Sequence, residues 1–468
     1  MTVTLAPGDQ AVLLLYFAAV LAIGFLVRRR RGGAVEFLLA GRSLTLPVFV
    51  MTLVSTWYGG ILGVGEFSYL HGISGWFLQG VPYYLFALLF ALLMAERVRS
   101  AGLATIPDTL DEAYGRPAAL AGAGLTFLLT TPAPYALMIG VLLQTVTGWP
   151  LAVCVVAGTA ATTVNLWRGG FRADLATDVF EFGVMFLGFA VIIPFAWDAV
   201  GAPGALPALL PPGHLVWHGG HAPQHIAVWF LIALWTLIDP SFHQRCSAAA
   251  TPAVARNGIL LSIPFWFLFD MMTALAGLYA RAALPVLGNP VMAYPLLAEA
   301  VLPPVAKGVF FAGMLATIMS TLNTAAFVSA ASLGRDLVGR MRNEGEVRAK
   351  RLTQWGLVAT GTISVALCLT VPSVVRLWYA IGSVAVPGLL VPLVTAYFPR
   401  YALPARRVPP LMMAATGTSA LWLAAGWGHA WPLGIEPMLP GLGVSILLWA
   451  AGLRGMRGGP ARQPAKPR

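Results

Sequence analysis

Gly308 to Ala331 reads GVFFAGMLATIMSTLNTAAFVSAA, an apolar run with hydroxyl side chains set into it at helical spacing. Thr317, Ser320, Thr321 and Thr324 fall at i, i+3, i+4 and i+7, so a helix carries all four along one face. Taken as a span over 304–333, the run has the roughly 20 apolar residues needed to cross the hydrocarbon of a bilayer. A hydroxylated face at mid-depth has two readings. Small hydroxyl residues mediate close helix packing in lipid, and hydroxyl, carbonyl and carboxylate oxygens are what hard cations take. Asn323 adds one more oxygen beside that face.

The rest of the chain has the same apolar character. Of 468 residues, 58% are hydrophobic and 10% charged, and the mean hydropathy is +0.78. A soluble domain carries roughly 25% charged residues, and a water-soluble fold could not bury this much apolar surface. Thirteen segments are marked off by charged or Gly/Pro-rich breaks: 10–28, 45–70, 75–96, 118–147, 150–167, 175–198, 225–243, 257–280, 304–333, 353–372, 374–398, 408–428 and 434–453. Glycine (50) and proline (35) sit inside these stretches, where membrane helices tolerate them. The expectation is an all-α polytopic membrane protein with one transmembrane domain over 1–453 and a disordered basic tail over 454–468.

Charge supplies the direction. Threading the spans alternately from an outside N-terminus puts 26 of the 29 Lys and Arg on one side, with Arg281, Lys307 and Arg376 on the other. The positive-inside rule makes the rich side cytoplasmic, the C-terminal tail included. The loop over 200–224 holds histidine, glycine and proline but no Lys or Arg, as suits the outer face. The net charge of +11 follows from this loop placement rather than from a nucleic-acid surface. The first span runs straight into Arg28 to Arg31 and reads as a retained helix, not a signal peptide. Cys154, Cys246 and Cys368 read as packing residues. His71, His214, His218, His221, His225, His243 and His429 lack metal spacing, and no HExxH, GxSxG or nucleotide loop points to an enzyme.

Polar groups inside spans are costly and mark work or pairing. Ser55-Thr56-Trp57-Tyr58-Gly59-Gly60 interrupts the second span, where adjacent glycines let the backbone unwind and bare its carbonyls to a cation or pack closely on a neighbour. Asp239-Pro240 interrupts the seventh. Two broken helices five spans apart suggest an inverted repeat, 45–198 matched with 225–398. Asp178 in the sixth span either pairs with Arg172 or Arg168 or supplies negative charge to a cation; Glu181 lies beside it. Glu66 faces an outer vestibule or is a structural carboxyl, and Asp270 and Glu299 are the other acids in or near spans. Trp57, Tyr58, Tyr84, Tyr135, Trp235 and Tyr379 either wall a solute pocket with few polar anchors or belong to the core.

Several stretches resemble the sodium:solute symporter family, whose members include proline, pantothenate, sialic acid and sugar symporters. They are Glu36 to Leu44, Gly169-Gly170-Phe171 with Thr177-Asp178, Asp239-Pro240 with Gln244-Arg245, and Ala312 to Asp336 with Met319-Ser320-Thr321-Leu322-Asn323-Thr324 at its centre. The resemblance implies a leucine-transporter-like core of five plus five inverted helices, with one extra helix in front and two behind. It implies a main Na+ site from the backbone carbonyls of Ser55, Tyr58 and Thr317 with the hydroxyls of Ser320 and Thr321. Some members hold a second sodium, which here maps onto Asp178, Ser320, Asn323 and Thr324; Asn323 and Thr324 stand where serines are found. Arg42 matches an arginine near the inner mouth and Trp235 an aromatic inner gate, with Gly59 and Gly60 against the solute. Glu66 and Asp239 are the remaining candidates for gating or coupling. The implied function is sodium-coupled import of a small organic solute across the cell membrane, with no nucleic acid and no obligate protein partner. Proton coupling through Asp178 or Glu66, or a membrane sensor, are the alternatives.

Overall fold

The computed structural model describes residues 3–27, 33–371, 373–427 and 431–457. The arginine run 28–31, His429 and the tail from 458 onward lie outside the described residues. α1 (Pro7–Leu26) opens the chain. The second expected span is two short helices, α2 (Leu46–Ser55) and α3 (Ile61–His71), separated by Thr56 to Gly60. Then come α4 (Ile73–Ala101), α5 (Arg116–Thr147), α6 (Leu151–Gly169) and α7 (Phe171–Val200). The seventh span is broken as well, into α8 (Pro223–Ile232), a tighter 3-10 stretch Ala233–Ile238, and α9 (Pro240–Ala248). α10 (Pro252–Ala283), α11 (Ala306–Ala331), α12 (Glu346–Thr370), α13 (Val374–Ala396), α14 (Val408–Gly426) and α15 (Met438–Arg457) complete the order.

Among the described residues eleven helices are long and apolar enough to cross a membrane, which makes the chain an all-α polytopic membrane protein. The expected thirteen are not all met by that measure. α2 is a half-span, and the apolar part of the last helix, Met438–Arg454, is also short.

The hydroxylated run is the centre of the molecule: nearly every residue of α11 from Gly308 to Ala331 is buried. Its closest neighbour is α7, which runs antiparallel to it. Gly188 of α7 and Gly313 of α11 lie so close that a Cβ on either would sit 2.7–2.8 Å from the other's Cα. Such contacts are what glycine provides between membrane helices. From that crossing the pairing runs down both helices, Ser320 meeting Asp178 and Thr324 meeting Asp174. α1 packs across α11, α7 and α6. The buried Asp9 carboxylate accepts from the backbone N–H of Val305 and of Gly308, both at 2.8 Å, and so caps the N-terminus of α11. Burying an anion where N–H groups are unpaired and the helix dipole is positive fastens α1 to the core.

The half-helices α2 and α9 are stitched together. Leu44, just before α2, donates its N–H to Ala248 and accepts from Ala250, forming a β-bridge to Ala249 after α9. Arg99 reinforces the join through the carbonyls of Ala249 and Ala250. α13, α14 and α15 pack on one another at the side of this core.

Candidate ion and solute site

The break between α2 and α3 lies directly against the hydroxyl face of α11. Gly59 is there because nothing larger fits: a Cβ would be 2.5 Å from Cβ of Thr321 and 2.6 Å from the Tyr135 ring. Thr321 donates to the Thr56 carbonyl at 2.9 Å and reaches the Thr317 carbonyl at 3.1 Å. Ser320 Oγ stands 3.1 Å from Ser55 Oγ and 2.7 Å from Asp178 Oδ1. Among the described residues no group donates a hydrogen bond to the carbonyl of Ser55 or of Tyr58. Buried carbonyls are almost always paired, so two unclaimed ones beside three hydroxyls form an oxygen-only cradle. Of the sequence candidates, Ser55, Tyr58, Thr317, Ser320 and Thr321 therefore come together.

The aromatic candidates divide. Trp57 meets Tyr83, Phe242 and Trp266 at 5.2–5.7 Å between ring centroids. Tyr135 borders Gly59, and Trp235 packs on Gly382 of α13. Tyr84 donates to Asp270 and accepts from the Trp76 indole at 3.2 Å, while Tyr58 donates to the Trp266 carbonyl at 2.9 Å. Tyr379 points elsewhere, stacked on Trp431 at 5.4 Å. Its neighbour Trp378 takes the expected place: its ring fills the space over Gly60, where a Cβ would be 2.2 Å away, and lies edge-on to Tyr135 at 5.9 Å. Neighbouring residues on a helix differ by about 100° in direction, so an aromatic pair leaves the choice of ring to packing.

The gating candidates are also sorted. Asp239 accepts from the N–H groups of Ser241 (2.8 Å) and Phe242 (3.3 Å) and is the N-cap of α9. Arg42 donates to the Gly102 carbonyl and lines a cavity of about 860 Å³ with Asp108, Asp111, Arg335 and Arg340. Arg335 and Arg340 both bridge to Asp108, joining the end of the α11 rod to the segment before α5. Glu66 lies part-exposed on α3 and makes no side-chain hydrogen bond among the described residues.

Two expectations from charge are corrected. Arg172 pairs with Glu36 at 2.7 Å, not with Asp178. The partner of Asp178 is Arg245, counted from sequence among the cytoplasmic loop residues but fully buried, its Nη2 2.8 Å from Asp178 Oδ2. The reason is that α9 extends to Ala248, past the expected end of the seventh span, and carries Arg245 back into the core. Asn323 is buried with neither side-chain atom bonded, and Thr324 donates to Asp174 at 2.8 Å. Sequence reasoning also missed Asp9, whose role depends on a contact with α11 some 296–299 residues away.

The sodium:solute symporter family profile matches residues 37–401. The chain is 26% identical to the sodium/pantothenate symporter of Escherichia coli (strain K12), over 94% of this chain and 95% of that protein. It is 26% identical to sodium/glucose cotransporter 4 of Danio rerio, spanning 57% of that longer protein. In structure it is similar to a Na+-coupled sialic acid symporter solved in a substrate-bound outward-open state, with a TM-score of 0.83, 14% identity, and coverage of 98% and 100% of the two chains. A nucleobase-cation-symport-1 family transporter in a closed conformation gives a TM-score of 0.54.

Proposed function

The chain belongs to the sodium:solute symporter family, and from that membership we propose how its residues carry ion and solute. It is a sodium-coupled secondary active symporter that moves a small solute by alternating access, a multi-pass plasma-membrane protein. The proposed architecture is thirteen spans, N-terminus outside and C-terminus cytoplasmic, with 45–198 and 225–398 as inverted repeats of five. Two broken helices, α2–α3 and α8–α9, five spans apart support it.

Sodium is held by the carbonyls of Ser55, Tyr58 and Thr317 and the hydroxyls of Ser320 and Thr321. The observation that carries this reading is the oxygen cradle, with its two unclaimed carbonyls, facing the hydroxyls of α11. A cation there joins the broken span to the central helix, so it favours the state in which the break is ordered for solute. Solute lies against Gly59 and Gly60 within Trp57, Tyr84, Tyr135, Trp235 and Trp378, and Asp270 with Tyr84 provides the polar anchor. On release, α2 and α9 swing together, since the Leu44–Ala249 bridge ties them, and the Arg42-lined cavity is the inner exit.

The drive per ion is about 2.3 kcal/mol for each 100 mV and about 1.4 kcal/mol for each tenfold gradient, enough for accumulation of roughly several hundredfold. Replacing Ser320 and Thr321 together by Ala removes both hydroxyls while leaving the helix intact. Sodium-dependent thermal stabilisation of the purified chain is expected to vanish in that double variant, and solute screened with and without sodium is expected to stabilise only the unaltered protein. An unchanged sodium affinity in the double variant would falsify the site.

A further inference from the structure

The residues onto which a second sodium maps surround a positive charge that the chain itself supplies. Arg245 is wholly buried. Its Nη2 donates to Asp178 Oδ2 at 2.8 Å and to Thr324 Oγ1 at 3.1 Å, and its Nε donates to Thr52 Oγ1 at 3.3 Å. The Phe171 ring lies 5.8 Å from the guanidinium carbon. Asp178 spends its other oxygen on Ser320, and Thr324 gives its proton to Asp174. Asp178, Ser320 and Thr324 are therefore all engaged around the guanidinium, and Asn323 stands apart with no bond at either end among the described residues. A bare cation among these oxygens would have to displace a group already neutralising Asp178, or be buried beside a like charge. The residues do not fit a second free ion.

We propose that Arg245 is a tethered cation standing in for a second sodium, so that each cycle carries one sodium ion. This rests on the sodium reading above. Two consequences follow from where Arg245 is anchored. It is on α9, which moves with α2, whereas Asp178 and Thr324 are on α7 and α11; a tethered charge neutralises the carboxylate in one state and withdraws with α9 in the other, but is never delivered to the cytoplasm. By holding Asp178, Arg245 also fixes an acceptor for the single Ser320 proton, which leaves the lone pairs of that hydroxyl for the ion. Arg245 is thus a positioning residue for the main site.

Equilibrium binding of ²²Na⁺ to the purified full-length chain tests this without knowing the solute. One ion per chain is expected, with a Hill coefficient of one, and none in the Ser320→Ala, Thr321→Ala double variant. Arg245→Ser leaves a hydroxyl among the same oxygens and is expected to raise the count to two, with Asp178→Asn returning it to one. Two ions on the unaltered chain overturn the proposal, and so does a folded Arg245→Ser that still binds one. Because the count on the unaltered chain decides by itself, a misfolded variant does not protect the idea. Zero ions on the unaltered chain would instead remove sodium binding altogether, a distinct failure.

Discussion

The molecule breaks a membrane helix twice and treats the two breaks in opposite ways. Between α2 and α3 the buried carbonyls of Ser55 and Tyr58 have no donor among the described residues, and the gap is pressed onto the hydroxyls of α11. Between α8 and α9 the loose end is closed from within: Asp239 caps the first N–H groups of α9, and the preceding turn tightens to 3-10 geometry. Each unpaired backbone group in a bilayer costs several kcal/mol. An interruption that is satisfied locally is a hinge, and one that is not is waiting for a ligand. Sequence alone marks both as interruptions, one by paired glycines and one by Asp-Pro, but which backbone groups stay unpaired is read only from the hydrogen bonds.

The sharpest way to break this comparison is to fill the open gap. Gly59→Ala puts a methyl 2.5 Å from Thr321 Cβ, and overpacking of that kind costs about 1–3 kcal/mol, here paid by the ion-bound geometry. Sodium affinity, read by ²²Na⁺ displacement, is expected to fall about tenfold or more with little change in melting temperature; an affinity equal to that of the unaltered chain would mean the gap is not the ion's seat.

Removing the ring that covers the same gap comes next. Trp378→Ala is expected to weaken the affinity for the best solute from a screen by about fivefold, read from the concentration dependence of its sodium-dependent thermal shift, for roughly 1 kcal/mol of lost apolar contact. Tyr379→Ala should leave that shift unchanged, because its ring stacks outward on Trp431.

The closed break predicts the converse pattern. Asp239→Ala deletes an N-cap and is expected to lower stability by about 1 kcal/mol, a shift of a few degrees in a melting curve, while sodium affinity stays put. Should sodium binding collapse instead, the two breaks are not different in kind.

The smallest effect concerns the His71 end of α3, which is clamped by the loop after α7. Ile73 donates to the His214 carbonyl at 2.8 Å, and the His214 ring meets the Tyr69 carbonyl. Burial, with Arg281 nearby, holds the His214 imidazole below its ordinary pKa despite that carbonyl. The folded chain then binds fewer protons than the unfolded one, so stability from this group is full above about pH 6.5 and is lost as the pH falls below it. Melting temperature should drop on acidification through that window, and His214→Gln should flatten this part of the slope; a melting curve with the same slope in the variant would place the pH sensitivity elsewhere.

Much of this was legible in the sequence for identifiable reasons. The span pattern follows from hydropathy and charge, and the open break from adjacent glycines among hydroxyl and aromatic residues. The hydroxyl face of α11 follows from 3.6-residue periodicity. What escaped depends on contacts between distant segments. Arg245 counts with the arginines of the basic side until α9 is seen to run on past it, and no local pattern ties Asp9 to the start of α11. The choice of Trp378 over Tyr379 turns on a rotation that no local pattern fixes.

The bridge between Leu44 and Ala249 carries a consequence for biosynthesis. Its two partners belong to opposite halves of the chain, so when the first half has left the ribosome the segment before α2 still lacks the strand-like neighbour that will hold it. Insertion of the early helices therefore leaves the segment before α2 without its bridge partner, and proteolysis of truncated nascent chains should find its first cut there.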